Sequence, residues 1–184
     1  VQHRYPMIKP LARLLLCALV LGASPTTRAC GYDMAWDNPF QLSWPGSLDI
    51  AMATSAAIST DKLNPIPAIM GKEGFSRSYQ WLNQLRASLK TTGIPGNVSI
   101  LLVDSGLWSR LRGKQTLLLQ SHTQGPVEGD RVVLLSEAAI DALLAGRLSA
   151  SDAVALGVMR IDEDAGGVLL QRLDQALARE IARR

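Results

Sequence analysis

The sequence predicts an α+β fold, a mainly antiparallel sheet with helices packed on one face and an irregular N-terminal segment. Three observations predict it. Between residues 97 and 184, short apolar runs bounded by turn residues are followed by stretches with apolar residues every three or four positions. The connections between the first runs are too short for a crossover helix, which favours antiparallel neighbours. Hydrophobic residues make up 47% of the 184, enough for the core of one domain.

Residues 1–29 have the layout of a secretory signal peptide. From Met7 a short cationic stretch precedes an apolar run from Leu14 to Leu21 and then small residues. The run is too short to span a membrane, so no transmembrane anchor is expected. Small residues favour cleavage after Ala29, which leaves a single domain of residues 30–184 in the periplasm or secreted. A start at Val1 and a start at Met7 both fit this leader.

Cys30 would be the first residue after cleavage, which raises the alternative of a lipoprotein. Lipid attachment requires a Leu-like residue at position −3 and a small one at −1 and −2, whereas Thr27 and Arg28 stand at −3 and −2. The sequence therefore favours a cysteine with no special task.

The positive charge belongs to the leader. The chain has 19 basic and 16 acidic residues, a net charge of +3, and four of the basic residues and none of the acidic ones fall within residues 1–29. The remaining chain has a net charge of −1. It lacks the excess of Lys and Arg that neutralises a phosphate backbone, so no nucleic-acid partner is expected.

Few residues could support catalysis or metal binding. After the leader the chain keeps one cysteine and one histidine, His122, which is expected in an exposed loop; a disulfide and a zinc or copper site are therefore not expected. Neither a nucleophile elbow nor a glycine-rich nucleotide loop is present, so no cofactor and no catalytic residue is predicted. An enzyme would have to use carboxylates such as Asp104, Glu128 or Asp130. The acidic run 162–164 is interpreted as a turn between a strand and a helix.

Residues 30–96 form the irregular, partly helical half of the predicted domain. Helices are expected over Ser47–Ile58 and Ser76–Lys90, the second with an amphipathic pattern and a stop at Gly93. Aromatic residues crowd the irregular stretch before the first helix. Exposed aromatics often anchor interfaces, and they can equally fold back as a lid over the core. The residues in question are Tyr32, Trp36, Phe40 and Trp44.

Residues 97–184 form the strand–helix half. Strands are expected at Val98–Val103, Trp108–Leu111, Gln115–Gln120, Arg131–Leu135 and Val158–Ile161. Between the last two strands, Ser136 caps a helix that ends at Gly146, and Ser151 opens a shorter one that ends at Gly157. A final helix, Val168–Arg183, has a basic C-terminal end that suits its dipole.

The stretch Asp130–Leu177 resembles the C-terminal half of the sterol-carrier-protein family. In that family a strand leads into a helix that ends near a Gly-Arg or Gly-Lys pair. A short helix, a strand with a basic residue, a turn and a last helix then follow. Gly146-Arg147, Ala155-Leu156-Gly157, Met159-Arg160-Ile161 and Leu169–Leu177 fit this order.

The resemblance implies a compact domain with an apolar cavity for lipids and no catalytic residues of its own. Apolar residues of the two later helices are then the candidates for the cavity wall: Ile140, Leu143, Leu144, Leu169, Leu173 and Leu177. Two hypotheses about function remain. The first is an exported, non-enzymatic binding module for a hydrophobic small molecule or lipid. The second is an interaction subunit of a periplasmic assembly that docks on a protein partner through its aromatic N-terminal segment.

Overall fold

The computed structural model describes residues 44–113 and 116–183. The predicted signal peptide, Cys30 and the aromatic residues Tyr32, Trp36 and Phe40 lie outside the described residues, so the predictions on them stay predictions.

The described residues form five α-helices and five strands in the order αα ββββ αα β α. No helix among them is both long enough and apolar enough to cross a membrane. The helices are α1 (Ser47–Ser59), α2 (Gly71–Leu89), α3 (Glu137–Leu144), α4 (Ala150–Ala155) and α5 (Val168–Ile181). The strands are β1 (Val98–Leu102), β2 (Leu107–Arg112), β3 (Leu118–Ser121), β4 (Arg131–Leu135) and β5 (Met159–Asp162). The α+β class is confirmed.

The sheet has the order β3-β2-β1-β4-β5, with one parallel pair, β1 and β4. The short connection after His122 predicted that β3 and β4 pair as antiparallel neighbours. This prediction was wrong, because β3 is an edge strand that pairs with β2. The hairpin of β2 and β3 takes the place of a crossover helix between β1 and β4. It leaves the chain in β3 at the far edge of the sheet, and residues 122–130 then cross β2 and β1 to reach the start of β4.

Helix α2 begins at Gly71, five residues earlier than the predicted start at Ser76. The added first turn contains Gly71 and Gly74, and Gly74 is buried within the helix. A glycine inside a helix can let a neighbouring element pack closely without ending the helix. A single sequence does not distinguish such a glycine from one that ends a helix.

Side chains on one face of the sheet form the main core with α2, α3, α4 and α5. Alternate residues of each strand point to this face, as in Val98, Ile100 and Leu102 of β1. The buried side chains of this cluster are all aliphatic or methionine.

The opposite face is covered in part by α1 and the residue that leads into it. Ile50 and Trp44 pack there on Leu101, Trp108 and Leu134. Helix α1 contacts β4, and its middle approaches the turn between α4 and β5, since a side chain on Gly157 would meet Ala53. Ala57, near the C-terminal end of α1, belongs to the main core.

The ends of α3 and α4 follow local rules. Ser136 accepts a hydrogen bond from the Ala139 N–H, as predicted, while α4 is capped by Ser149 and not by Ser151. Gly146 and Gly157 end these helices in the left-handed region, at φ 71° and 74°.

Candidate ligand-binding site

The interior between the sheet and helices α2–α5 is the candidate site. All six predicted wall residues lie in it and belong to one buried cluster. Ile140, Leu143 and Leu144 come from α3, and the other three come from α5. None of them is more than 7% exposed, so in this structure they fill the interior with their own side chains. Their role as a ligand wall remains a prediction.

A small surface pocket reaches this interior near the C-terminal end of α5. It has a volume of about 260 Å³ and lies between α5 and the turn from Gly146 to Ser149. Leu177 lines the pocket and is also buried in the main core. Leu177 is thus shared by the pocket and the predicted wall.

Polar side chains collect at one end of the interior, under the N-terminal half of α2. Helix α2 lies along β3, because the Phe75 and His122 rings are 6.4 Å apart and Arg86 donates to the Leu117 carbonyl 3.3 Å away. Ser109 of β2 and Ser121 of β3 face each other across the sheet at this end. Ser109 is fully buried and, by alternation with Leu107 and Leu111, points into the interior.

An ion pair joins α2 to the start of α3. Arg77 donates to Glu137 at 2.6 Å and to the Pro67 carbonyl at 2.7 Å, and its guanidinium lies 4.9 Å from the centre of the Trp81 ring. Ser78 donates to the other Glu137 oxygen at 3.2 Å. Glu137 is buried, so this pair ties the two helices together over the end of the sheet.

Asp104 follows strand β1 and accepts a hydrogen bond from the Glu137 backbone N–H at 2.6 Å. Partial withdrawal of its carboxylate from water raises the pKa of Asp104 above its ordinary 3.8, and although that backbone hydrogen bond opposes the rise, the nearby Glu137 charge adds to it. The folded protein therefore binds this proton more tightly than the unfolded chain does. The contribution of Asp104 to stability then increases as the pH falls.

This environment predicts opposite results for two substitutions of Asp104. Asp104→Asn keeps an oxygen for the Glu137 N–H but removes the charge, so it should be at least as stable as the wild type at pH 7. Asp104→Ala loses the hydrogen bond and should be less stable by about 1 kcal/mol. Urea unfolding at pH 7 measures both, and the stability difference between Asn and the wild type should shrink toward pH 3. Equal losses in the two variants at pH 7 would show that the charge itself is needed.

The other acidic candidates have structural partners or lie in solvent. Asp130 accepts two hydrogen bonds from Arg110, both at 2.7 Å, and one from Ser99 at 2.7 Å. Glu128 is exposed. Asp104 is also exposed, although its carboxylate accepts the hydrogen bond from the Glu137 N–H at the start of α3. No group of three metal-binding side chains occurs among residues 44–113 and 116–183.

The acidic run 162–164 leads from β5 toward α5: Asp162 is the last residue of the strand, and Glu163 and Asp164 form the predicted turn. Asp164 accepts hydrogen bonds from the backbone N–H groups of Leu169 and Leu170 at 2.9 and 3.1 Å, which satisfies the start of α5. Asp162 accepts one from the Trp44 ring nitrogen at 3.2 Å. His122 is exposed in its loop, again as predicted.

Sequence reasoning missed the polar end of the interior. Ser109 and Ser121 stand alone in apolar strands, and nothing local distinguishes an inward serine from an outward one. Their only signal is the period of two, which places Ser109 between the inward residues Leu107 and Leu111. Arg77 and Glu137 are 60 positions apart, and only the packing of α2 on α3 brings them together.

The fold and the site define an α+β domain with an aliphatic interior and a polar end. Two solved structures are similar to the chain. One is the crystal structure of sterol carrier protein 2, with 14% identity and a TM-score of 0.41 over 57% of this chain and 92% of that one. The other is the solution structure of a conserved hypothetical protein from Thermus thermophilus, described as a candidate sterol carrier protein, with 14% identity and a TM-score of 0.40 over 66% and 92%. Both carry the name of the family that Asp130–Leu177 resembles. No family model and no curated protein matches the sequence.

Proposed function

We propose that the protein is an exported, non-enzymatic binding module that holds a hydrophobic small molecule or lipid between the sheet and helices α2–α5. The interior carries the proposal, because the sheet and the helices share one continuous buried cluster of aliphatic and methionine side chains. Each methylene group moved from water into such a place contributes about 0.8 kcal/mol. A chain of eight carbons thus gains about 6 kcal/mol, and its dissociation constant would be in the tens of micromolar before the cost of opening the interior.

The order of elements in the second half of the domain supports this proposal. The stretch Asp130–Leu177 folds as strand, helix, helix, strand and helix, which is what its resemblance to the sterol-carrier-protein family implies. The ligand has to displace packed side chains, so binding requires a helix of the outer layer to move away from the sheet.

Export through the signal peptide remains part of the proposal. The alternative, an interaction subunit that docks through its aromatic N-terminal segment, depends on free aromatic side chains. Trp44 is the one of the four that the structure describes. It is half-buried, meets the Trp108 ring edge-on at 5.8 Å and donates to Asp162. The packing of Trp44 on its own domain favours the lid over the interface.

Native mass spectrometry of the purified protein tests the proposal, together with titration by the neutral hydrophobic dye Nile red. We expect either a bound apolar molecule of defined mass or saturable dye uptake at one site per chain. The exposed variant Leu48→Ala is the control and should bind as the wild type does. A protein that carries no ligand and takes up no dye would contradict the proposal.

A further inference from the structure

The outer face of the sheet, opposite the interior, carries two separate parts of the chain. On one side lie α1 and Trp44, whose ring meets that of Trp108 edge-on at 5.8 Å. On the other side lies the loop of residues 124–130, which is tied to the sheet by the ion pair of Asp130 with Arg110. A groove of about 600 Å³ lies between the two parts, and both Trp44 and the loop line it.

The groove offers apolar surface on its floor and on both walls. Val132 lies in it and is buried with Trp44 in the cluster of the outer face. Pro126 and Val127 line the loop side, and the Val127 side chain is 49% exposed. The acidic residues of the groove, Glu128 and Glu163, are exposed and can stay in water when an apolar side chain enters.

The sequence that leads into Trp44 alternates between large apolar side chains and polar or small ones. From residue 32 to residue 44, every even position except Asn38 carries a large apolar side chain. Every odd position carries Asp, Ala, Pro, Gln or Ser. A period of two is that of an extended chain with one apolar side. In such a chain the even-numbered side chains point the same way as Trp44, which packs on the outer face of the sheet.

We infer that residues 30–43 form an extended strap that binds this groove, with the side chains of Leu42 and Phe40 between Trp44 and the loop of residues 124–130. The reach is sufficient, because two and four residues of extended chain span at most about 7 and 14 Å. Trp44 is itself a wall of the groove, so the strap enters the groove at its last residue.

The covalent link favours this occupant over a separate chain. A segment tethered by a short linker has an effective concentration in the millimolar range, which exceeds that of a free partner of similar sequence. The strap would therefore cover the outer face and leave the interior unobstructed. It would be neither a gate to the proposed ligand nor a free anchor for another protein, so the inference stands apart from the proposed function.

Methyl NMR spectra of the chain from Cys30 to Arg184, in reducing buffer, test where the strap binds. A phenyl ring that lies against Val127 and Val132 shifts their methyl signals, so Phe40→Ser should move these signals. Gln41→Ser is the matched control, because it changes the neighbouring side chain on the opposite side of the strap. It should leave the signals in place.

Thermal unfolding of the same proteins measures the contact. Phe40→Ser should lower the melting temperature by about 4 °C or more, and Gln41→Ser by less than about 2 °C. Val127→Asp places a charge in the groove and should act like Phe40→Ser. Combining the two should add little, because both remove the same contact. Leu48→Asp, at a side chain 58% exposed and outside the groove, should have a small effect that adds fully to that of Phe40→Ser.

A mixture of methyl-labelled Phe40→Ser chains with unlabelled wild-type chains identifies the source of the strap. Methyl signals that return to their wild-type positions in this mixture would show that a second copy fills the groove, and would overturn the inference. Unmoved methyl signals in Phe40→Ser, with a melting temperature equal to that of Gln41→Ser, would overturn it as well.

Nile red uptake separates this inference from the proposed function. Phe40→Ser should take up the dye as the wild type does, because the groove and the interior lie on opposite faces of the sheet. A loss of uptake in Phe40→Ser alone would place the segment over the interior and contradict the strap. If the wild type takes up no dye, the proposed function fails, and the methyl signals still decide whether the strap binds the groove.

Discussion

Asp130→Ala is expected to lower the free energy of unfolding by about 3 to 5 kcal/mol. The Asp130 side chain is 1% exposed and its Arg110 partner 18% exposed, so the pair is buried under the outer face of the sheet. Removing the carboxylate leaves the Arg110 guanidinium without its two hydrogen bonds and the Ser99 hydroxyl without an acceptor. Urea unfolding at pH 7 measures the loss.

Glu128→Ala is the matched control, because Glu128 is an exposed carboxylate only two residues away. It should change the stability by less than about 0.5 kcal/mol. A loss of less than about 1 kcal/mol in Asp130→Ala would show that the pair is solvated and contradict its placement.

The same pair predicts a pH dependence. Burial alone would raise the pKa of Asp130, but the hydrogen bonds from Arg110 and Ser99 outweigh it and hold the pKa below its ordinary 3.8. Because the pKa of Asp130 is lower in the folded protein than in the unfolded chain, its ionised carboxylate stabilises the folded state at any pH above the unfolded pKa. This stabilisation is lost as the pH falls below about 4. The difference in unfolding free energy between the wild type and Asp130→Asn should thus decrease from pH 6 to pH 3. A difference that stays constant over this pH range would contradict the prediction.

Leu173→Ala is expected to cost about 2 to 5 kcal/mol, because it empties part of the interior beside α5. Leu173 is 5% exposed and belongs to the main core. The control is Leu48→Ala, whose side chain is 58% exposed and whose loss should be within about 0.5 kcal/mol. Thermal unfolding of both variants measures the difference.

The variant also reports on ligand binding. A bound apolar molecule fills the space that Leu173 leaves, so saturating octane should raise the melting temperature of Leu173→Ala more than that of the wild type. Equal shifts in the two proteins would place the ligand elsewhere.

The sequence predicted those parts of the fold whose signals are local. Ser136 and Gly146 bracket α3 within a few residues of its bounds, and the apolar spacing of α5 identifies the side chains that it buries. The start of α2 and the partner of β4 could not be predicted in this way. Gly74 is buried within the helix, and β4 reaches β1 only because residues 122–130 cross two strands of the sheet, which no local signal reveals.

In the candidate site, too, only the part with a local sequence signal could be predicted. The aliphatic wall follows from helical periodicity, because burial and spacing coincide along α3 and α5. The polar end does not, since Ser109, Ser121 and Glu137 are brought together by strand register and helix packing. Residues that contribute chemistry to an apolar interior are few and distant in sequence, so they emerge only when the fold is known.

A crystal structure of the protein with 8-bromo-1-octanol tests the central claim most directly. The account predicts an anomalous bromine peak between the sheet and helices α2–α5, among the side chains of α3 and α5. A bromine peak found only on the outer face of the sheet or at the surface, with the interior packed as in the ligand-free protein, would contradict it.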